Sequence, residues 1–152
     1  MASPISPYWF AAHFDKKAGS RFDRAGTQSS QQKPKVVVVD DEHLIADTIA
    51  EILETAGYEA KPFYDAESAL EYCQESSPDI VISDYVMPGL NGLELAQKLR
   101  KECPGARVLL LTGQGNVADI ADSMRKAGED FEILAKPLHP EELFERLRHR
   151  KS

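Results

Sequence analysis

The chain has 152 residues, enough for one ordinary domain with an extension. A 42 % hydrophobic and 28 % charged composition is that of a globular protein. The net charge of −7, from 18 basic against 25 acidic residues, argues against broad binding to nucleic acid or anionic membranes. No apolar run approaches the roughly 20 residues of a membrane helix, and the N-terminus lacks the apolar stretch of a secretory signal. Cys73 and Cys103 form neither a CxxC pair nor a His/Cys cluster, which excludes a structural zinc site and makes a reducing cytoplasm the simplest setting.

Residues 1–34 differ in character from the rest. They lack sustained periodicity and end in Gln28-Ser29-Ser30-Gln31-Gln32-Lys33-Pro34, the composition of a flexible linker. Five basic residues against two acidic ones give this extension +3, while the remainder carries −10. Tyr8, Trp9, Phe10, Phe14 and Phe22 are many aromatics for a disordered stretch. The extension therefore reads either as a flexible arm or as a segment that docks on this domain or a partner.

From Lys35 onward short apolar runs alternate with amphipathic stretches. Val36–Val39, Tyr58–Phe63, Ile80–Ile82, Val108–Leu111 and Phe131–Ala135 are too short for helices and read as strands. The second is the most polar and contains Pro62, as suits an edge strand. Ile45, Ile49, Ile52, Leu53 and Ala56 recur at helical spacing before Gly57, which stands where a C-terminal cap belongs. Asp65 can cap a second helix carrying Ala66, Ala69, Leu70 and Cys73. Leu93, Leu95, Ala96 and Leu99 form a third stripe, a fourth runs from about Asn116 to Ala127 before Gly128, and a fifth starts at Pro140 with Leu143, Phe144 and Leu147. Five strand–helix units with nearly all-apolar strands predict an α/β fold: a doubly wound, five-stranded parallel sheet with helices on both faces.

Ligands of such sheets bind beyond the carboxyl ends of the strands. The first run ends in Asp40-Asp41, the third in Asp84, the fourth in Thr112 and the fifth in Lys136-Pro137. Each alone has a plain structural explanation: a helix cap, a strand residue, a surface lysine. Together they bring three carboxylates, a hydroxyl and an ammonium to one edge. Three close carboxylates repel unless compensated, and oxygen ligands of this kind suit Mg²⁺. A carboxylate can also attack a phosphoryl group to give an aspartyl phosphate, with cation, lysine and hydroxyl holding the phosphoryl oxygens.

Val39-Asp40-Asp41-Glu42, the stretch Ser83-Asp84-Tyr85-Val86-Met87-Pro88-Gly89-Leu90-Asn91-Gly92, Leu111-Thr112-Gly113 and Ala135-Lys136-Pro137-Leu138 resemble the receiver domain of two-component response regulators. The order and spacing match over about residues 35–149, and Asp-x-x-Met-Pro-Gly-x-Asn-Gly is the most specific piece. The resemblance implies a flavodoxin-like strand order 2-1-3-4-5 with five helices, and a receiver domain over 35–150. It implies that Asp84 accepts a phosphoryl group from a histidine kinase or phosphotransfer protein. Mg²⁺ would be bound by Asp41 directly, by Asp40 through water and by the backbone carbonyl of Val86. Lys136 would pair with the phosphoryl group, Thr112 would move to hydrogen-bond it, and the Lys136–Pro137 bond would be cis. The surface of the fourth helix, fifth strand and fifth helix would meet a downstream protein target, with a homodimer as one arrangement.

One position departs from the family. Three residues before the lysine, where Tyr or Phe is usual, stands Ile133. Phe131 lies on the same strand face and would partly substitute if the strand were bulged. Val86 and Gln114 should flank the path of the hydrolytic water, and an apolar Val86 cannot orient it. His43 and His139 read as exposed or capping residues near helix starts, and Met87 and Met124 as packing residues.

The expected function is thus a phosphorylation-switched signalling module without direct nucleic-acid binding or membrane insertion. Its only chemistry would be its own phosphorylation and dephosphorylation, so it is not expected to be an enzyme in the ordinary sense. The short sequence after the fifth helix suggests a stand-alone regulator or a receiver piece of a larger protein. Two alternatives compete. A phosphorylation-independent docking module would keep only the fold, which Ile133 mildly favours. An aspartyl-phosphate phosphatase of the haloacid dehalogenase type needs an Asp-x-Asp motif that Asp40-Asp41-Glu42 does not supply.

Overall fold

The alternating pattern resolves into five strands and five helices among the described residues, 32–149, of the computed structural model. The strands β1 (Lys35–Val39), β2 (Glu59–Phe63), β3 (Ile80–Asp84), β4 (Arg107–Gly113) and β5 (Glu132–Lys136) form one sheet. Its order is β2-β1-β3-β4-β5, and every neighbouring pair is parallel. The helices are α1 (His43–Thr55), α2 (Ala66–Ser76), α3 (Gly92–Glu102), α4 (Val117–Lys126) and α5 (Pro140–Arg148). The doubly wound order expected above is the one observed. The arm expected at residues 1–34 lies, as far as residue 31, outside the described residues.

Strand alternation divides the core in two. Val36, Val38, Ile80, Ile82, Leu109, Leu111 and Leu134 face α1 and α5, where Leu53, Leu143 and Phe144 close the layer. Val37, Val39, Val81, Val108 and Leu110 face α2, α3 and α4, against Ala69, Leu95, Leu99, Ile120 and Met124. A strand buried on both faces has no polar side, which is why these runs lack alternation in the sequence. β2 is half-exposed because it lies at the sheet edge, and Pro62 stands there opposite Val38.

Helix ends follow the local chemistry. Asp65 accepts from Ser68 N–H at 2.7 Å and caps α2. Asn91 and Glu94 form a reciprocal capping box on α3, at 2.8 and 3.0 Å. Gly57 and Gly128, at φ +100° and +76°, follow the last residues of α1 and α4 as expected of cap glycines. Pro140 opens α5, and Met87 and Met124 are packed in the core.

Two strands extend further than their apolar runs. β3 continues through Asp84 and β4 through Gly113. Backbone pairing does not depend on side-chain polarity: Asp84 stands opposite Leu111, and Tyr85 N–H donates to Leu111 C=O at 2.8 Å. β5 conversely begins at Glu132, so Phe131 precedes it.

A feature with no local sequence signal closes the amino end. Arg107, the first residue of β4, forms a two-pronged pair with Glu132 of β5 at 2.7 and 2.9 Å. The same guanidinium donates to the carbonyls of Arg146, Leu147 and His149, at 2.7, 3.1 and 2.8 Å. It thereby satisfies the orphan acceptors at the end of α5 and ties that helix to the sheet.

Candidate functional site

At the carboxyl edge the crossovers of β1, β3, β4 and β5 converge. Asp40 follows the last residue of β1, Asp84 ends β3, Thr112 is the last residue but one of β4, and Lys136 ends β5. One carboxylate oxygen from each of Asp40, Asp41 and Asp84 can be chosen so that all lie within 4.8 Å of one another. Asp40 and Asp84 are buried and Asp41 is exposed. Lys136 Nζ stands 3.1 Å from Asp84 Oδ1 and 3.7 Å from Asp40 Oδ2. The cluster that strand ends suggested is therefore assembled in space.

Its electrostatics are strained toward a cation. Burial raises the Asp40 pKa; the Glu42 N–H, donating to Oδ1 at 2.9 Å, opposes this, and Asp84 and Asp41 add repulsion. Burial pulls Lys136 down, but its hydrogen bond and charge interaction with Asp84, and the charge of Asp40, hold it above its ordinary value. A single ammonium thus serves two buried carboxylates. Asp40 Oδ2 and Thr112 Oγ1 are buried and lack a hydrogen-bond partner among the described residues. Groups so placed normally find a partner, and an oxygen-rich acidic cluster with spare acceptor capacity fits a hard divalent cation.

The loop after β3 is held against the strand. Gly92 N–H donates to Tyr85 C=O at 2.8 Å. A Cβ at Gly92 would lie 2.5 Å from the Asp84 carbonyl oxygen and 2.8 Å from Tyr85 Cα, so only glycine permits the approach. The Asn-Gly of the motif thus has two jobs, a cap and a close backbone contact; the capping-box spacing Asn91-x-x-Glu94 was available to a sequence reader, the contact was not. Val86 is 64 % exposed in this loop. Gln114 lies in a short 3₁₀ turn, Gln114–Asn116, directly after β4.

Ile133 does not regain an aromatic partner. The pairing of β4 and β5 runs unbroken from Leu109 opposite Glu132 to Gly113 opposite Lys136, so there is no bulge. Phe131 is therefore held four residues short of Ala135, the residue opposite Thr112, or about 13 Å along the strand. It packs instead beneath Arg100, whose guanidinium carbon lies 4.3 Å from the ring centroid. Substitution by Phe131 is ruled out by register.

His43 is exposed and stacks on Tyr64 with ring centroids 3.9 Å apart, and Tyr64 Oη donates to Asp47 at 2.6 Å. His139 precedes α5 without a side-chain capping bond. The Lys136–Pro137 bond is cis, as the resemblance implied.

A model of the response regulator receiver domain matches residues 36–148. The chain belongs to that family. Among its curated relatives, Regulatory protein VanRc of Enterococcus gallinarum is 34 % identical over 114 residues, 75 % of this chain and 48 % of that one. Probable transcriptional regulatory protein TcrX of Mycobacterium tuberculosis is 36 % identical over 117 residues, 77 % of this chain and 49 % of its own. The chain spans about half the length of these relatives. Among solved structures, chemotaxis protein CheY4 of Vibrio cholerae matches with a TM-score of 0.69 at 29 % identity, over 77 % of this chain and 98 % of that one. A response regulator receiver domain protein from Clostridium thermocellum matches at 0.68 and 31 %, over 76 % and 91 %. Among the described residues of this receiver domain no helix is long and apolar enough to cross a membrane.

Proposed function

We propose that this receiver domain takes a phosphoryl group on Asp84 from a histidine kinase or phosphotransfer protein and switches protein contacts in response. The observation that carries the reading is Lys136 Nζ, 3.1 Å from Asp84 Oδ1, with Thr112 Oγ1 on the neighbouring strand end buried and without a hydrogen-bond partner among the described residues. The Asp84 carboxylate oxygen attacks phosphorus, the bond from phosphorus to the donor nitrogen breaks, and an acyl phosphate results. Lys136 neutralises the charge brought onto Asp84, and Thr112 supplies a hydroxyl donor to a phosphoryl oxygen. Asp40, Asp41 and the backbone carbonyl of Val86 would hold Mg²⁺, which supplies charge neutralisation for the phosphoryl oxygens. The domain would act in the cytoplasm, catalyse nothing beyond its own phosphorylation and dephosphorylation, and meet its target through α4, β5 and α5, as a monomer or homodimer.

Ile133 favours a second reading. Thr112 and Ile133 share the sheet face of Leu110, with Thr112 opposite Ala135, so Ile133 sits one side-chain row away. A branched aliphatic side chain there cannot make the hydrogen-bonded swing of a tyrosine, and a constitutive docking module would need none.

The test is incubation with Mg²⁺ and acetyl phosphate, read as intact mass beside Asp84→Asn. A single phosphoryl adduct, lost in the variant and without Mg²⁺, supports phosphotransfer. No adduct, with Mg²⁺ binding confirmed and a histidine-phosphorylated donor also inert, favours the docking module.

A further inference from the structure

The chemistry above leaves several surface depressions unused. Between α4 and β5 lies a groove of about 580 Å³ with Ala121, Met124, Phe131 and Ile133 as its apolar lining and Arg125 and Arg146 among its charged residues. Its size falls in the roughly 300–1,000 Å³ range of sites that enclose a sizeable apolar group. A second depression of about 340 Å³, beside Pro104, Ala106 and Val108, shares Asp130, Phe131 and Glu132 with the first. The two therefore meet at Phe131 and form a track along the amino end of the sheet, from β4 toward α4.

The chain enters the sheet at that same end. Lys35 N–H donates to Asp79 at 2.8 Å and Pro34 C=O accepts from Glu59 at 2.9 Å, which fixes the start of β1 there. β5 lies three strand positions away, about 14 Å at ~4.8 Å per strand. The seven residues Gln28–Pro34 reach over that span at ~3.3 Å each. Upstream, Tyr8, Trp9, Phe10 and Phe14 place four aromatics within seven positions. Tethering keeps the extension's local concentration high. Aromatic anchors seated in an apolar groove are where binding energy concentrates.

We propose that the segment Tyr8–Phe14 docks in cis into the groove between α4 and β5 of its own domain. Docking there covers the face assigned above to the downstream target, so the segment competes with that partner. Groove, exit point and aromatic spacing carry the docking, which stands or falls apart from phosphorylation.

Trp9 is the single tryptophan of the chain, so its fluorescence reports the segment alone. In the full chain its emission should be blue-shifted, and its acrylamide quenching about threefold weaker, relative to a peptide of residues 1–33; a docked-to-free ratio of about two to one suffices for that. Ala121→Arg, a half-buried helix position tolerant of arginine, should restore peptide-like emission and quenching with an unchanged circular dichroism melt. Phe10→Ser with Phe14→Ser, which leave the domain untouched, should do the same. Peptide-like emission in the unaltered chain overturns the proposal. Protection that survives Ala121→Arg overturns the groove assignment, and protection that fades on dilution overturns docking in cis in favour of a second copy.

Discussion

Gly92→Ala sets two physical effects against each other at the site. At an unobstructed helix start the substitution stabilises by about 0.4–1 kcal/mol, because alanine restricts the unfolded chain. Here the new Cβ would lie 2.5 Å from the Asp84 carbonyl oxygen and 2.8 Å from Tyr85 Cα. Both are backbone atoms of β3 and its continuation, so no rotamer change relieves the overlap. α3 must move away from the strand, which stretches the 2.8 Å bond from Gly92 N–H to Tyr85 C=O. Overpacking of this kind costs about 1–3 kcal/mol, and a weakened hydrogen bond about 1. The net expectation is a loss of about 2 kcal/mol, read in urea as a midpoint about 1 M lower at unchanged slope. Phosphorylation of Asp84 by acetyl phosphate should slow as well, since the loop between β3 and α3, which carries the Val86 carbonyl, shifts with the helix. Equal or greater stability would refute the reasoning, because helix propensity would then have outweighed the contact.

Four further outcomes follow from the same geometry. Arg107→Met should destabilise by about 3 kcal/mol, because the Glu132 carboxylate loses its main partner in a buried setting; adding Glu132→Leu should recover only part of that in urea unfolding, since the carbonyls at the end of α5 still lack their donor. Burial, with the neighbouring Cys103, pushes the Cys73 thiol up to about 12; alkylation at pH 8 followed by mass spectrometry should stop at one equivalent in the native protein and reach two in urea. In EDTA, Asp40→Asn should be more stable than the parent at neutral pH: a raised native pKa means the native state binds more protons than the unfolded one, so ionising Asp40 costs stability as pH rises above 3.8. That advantage should vanish below about pH 3.8, where both states are protonated, and a constant difference across pH would contradict it. Val86→Asn should accelerate self-dephosphorylation, read as the decay of the phosphorylated mass, because an amide can orient the water that an exposed valine cannot; an unchanged or slower decay would refute this.

Much of the candidate site was legible because each side chain sits at the end of an apolar run. Asp40, Asp84, Thr112 and Lys136 are far apart in sequence, yet parallel strands joined by right-handed crossovers put all their carboxyl ends on one edge. Their order along the chain therefore predicts their meeting, without knowledge of distances. What escaped was the detail that depends on contact between elements: the pairing that carries β3 and β4 past their apolar residues, the Arg107 clamp on α5, and the backbone approach at Gly92. None leaves a periodic or local signal.

Phe131 and Ile133 mark the boundary between the two kinds of information. Composition and spacing alone determined an α/β domain with polar groups gathered at one sheet edge, because hydrophobic alternation and strand polarity are properties of the chain itself. Whether Phe131 could stand in for a missing aromatic was decided only in three dimensions. An unbroken register between β4 and β5 keeps it some 13 Å along the strand from the Thr112 row and under Arg100. Register is fixed jointly by two strands whose paired residues lie 23 positions apart, so neither strand's own sequence contains it.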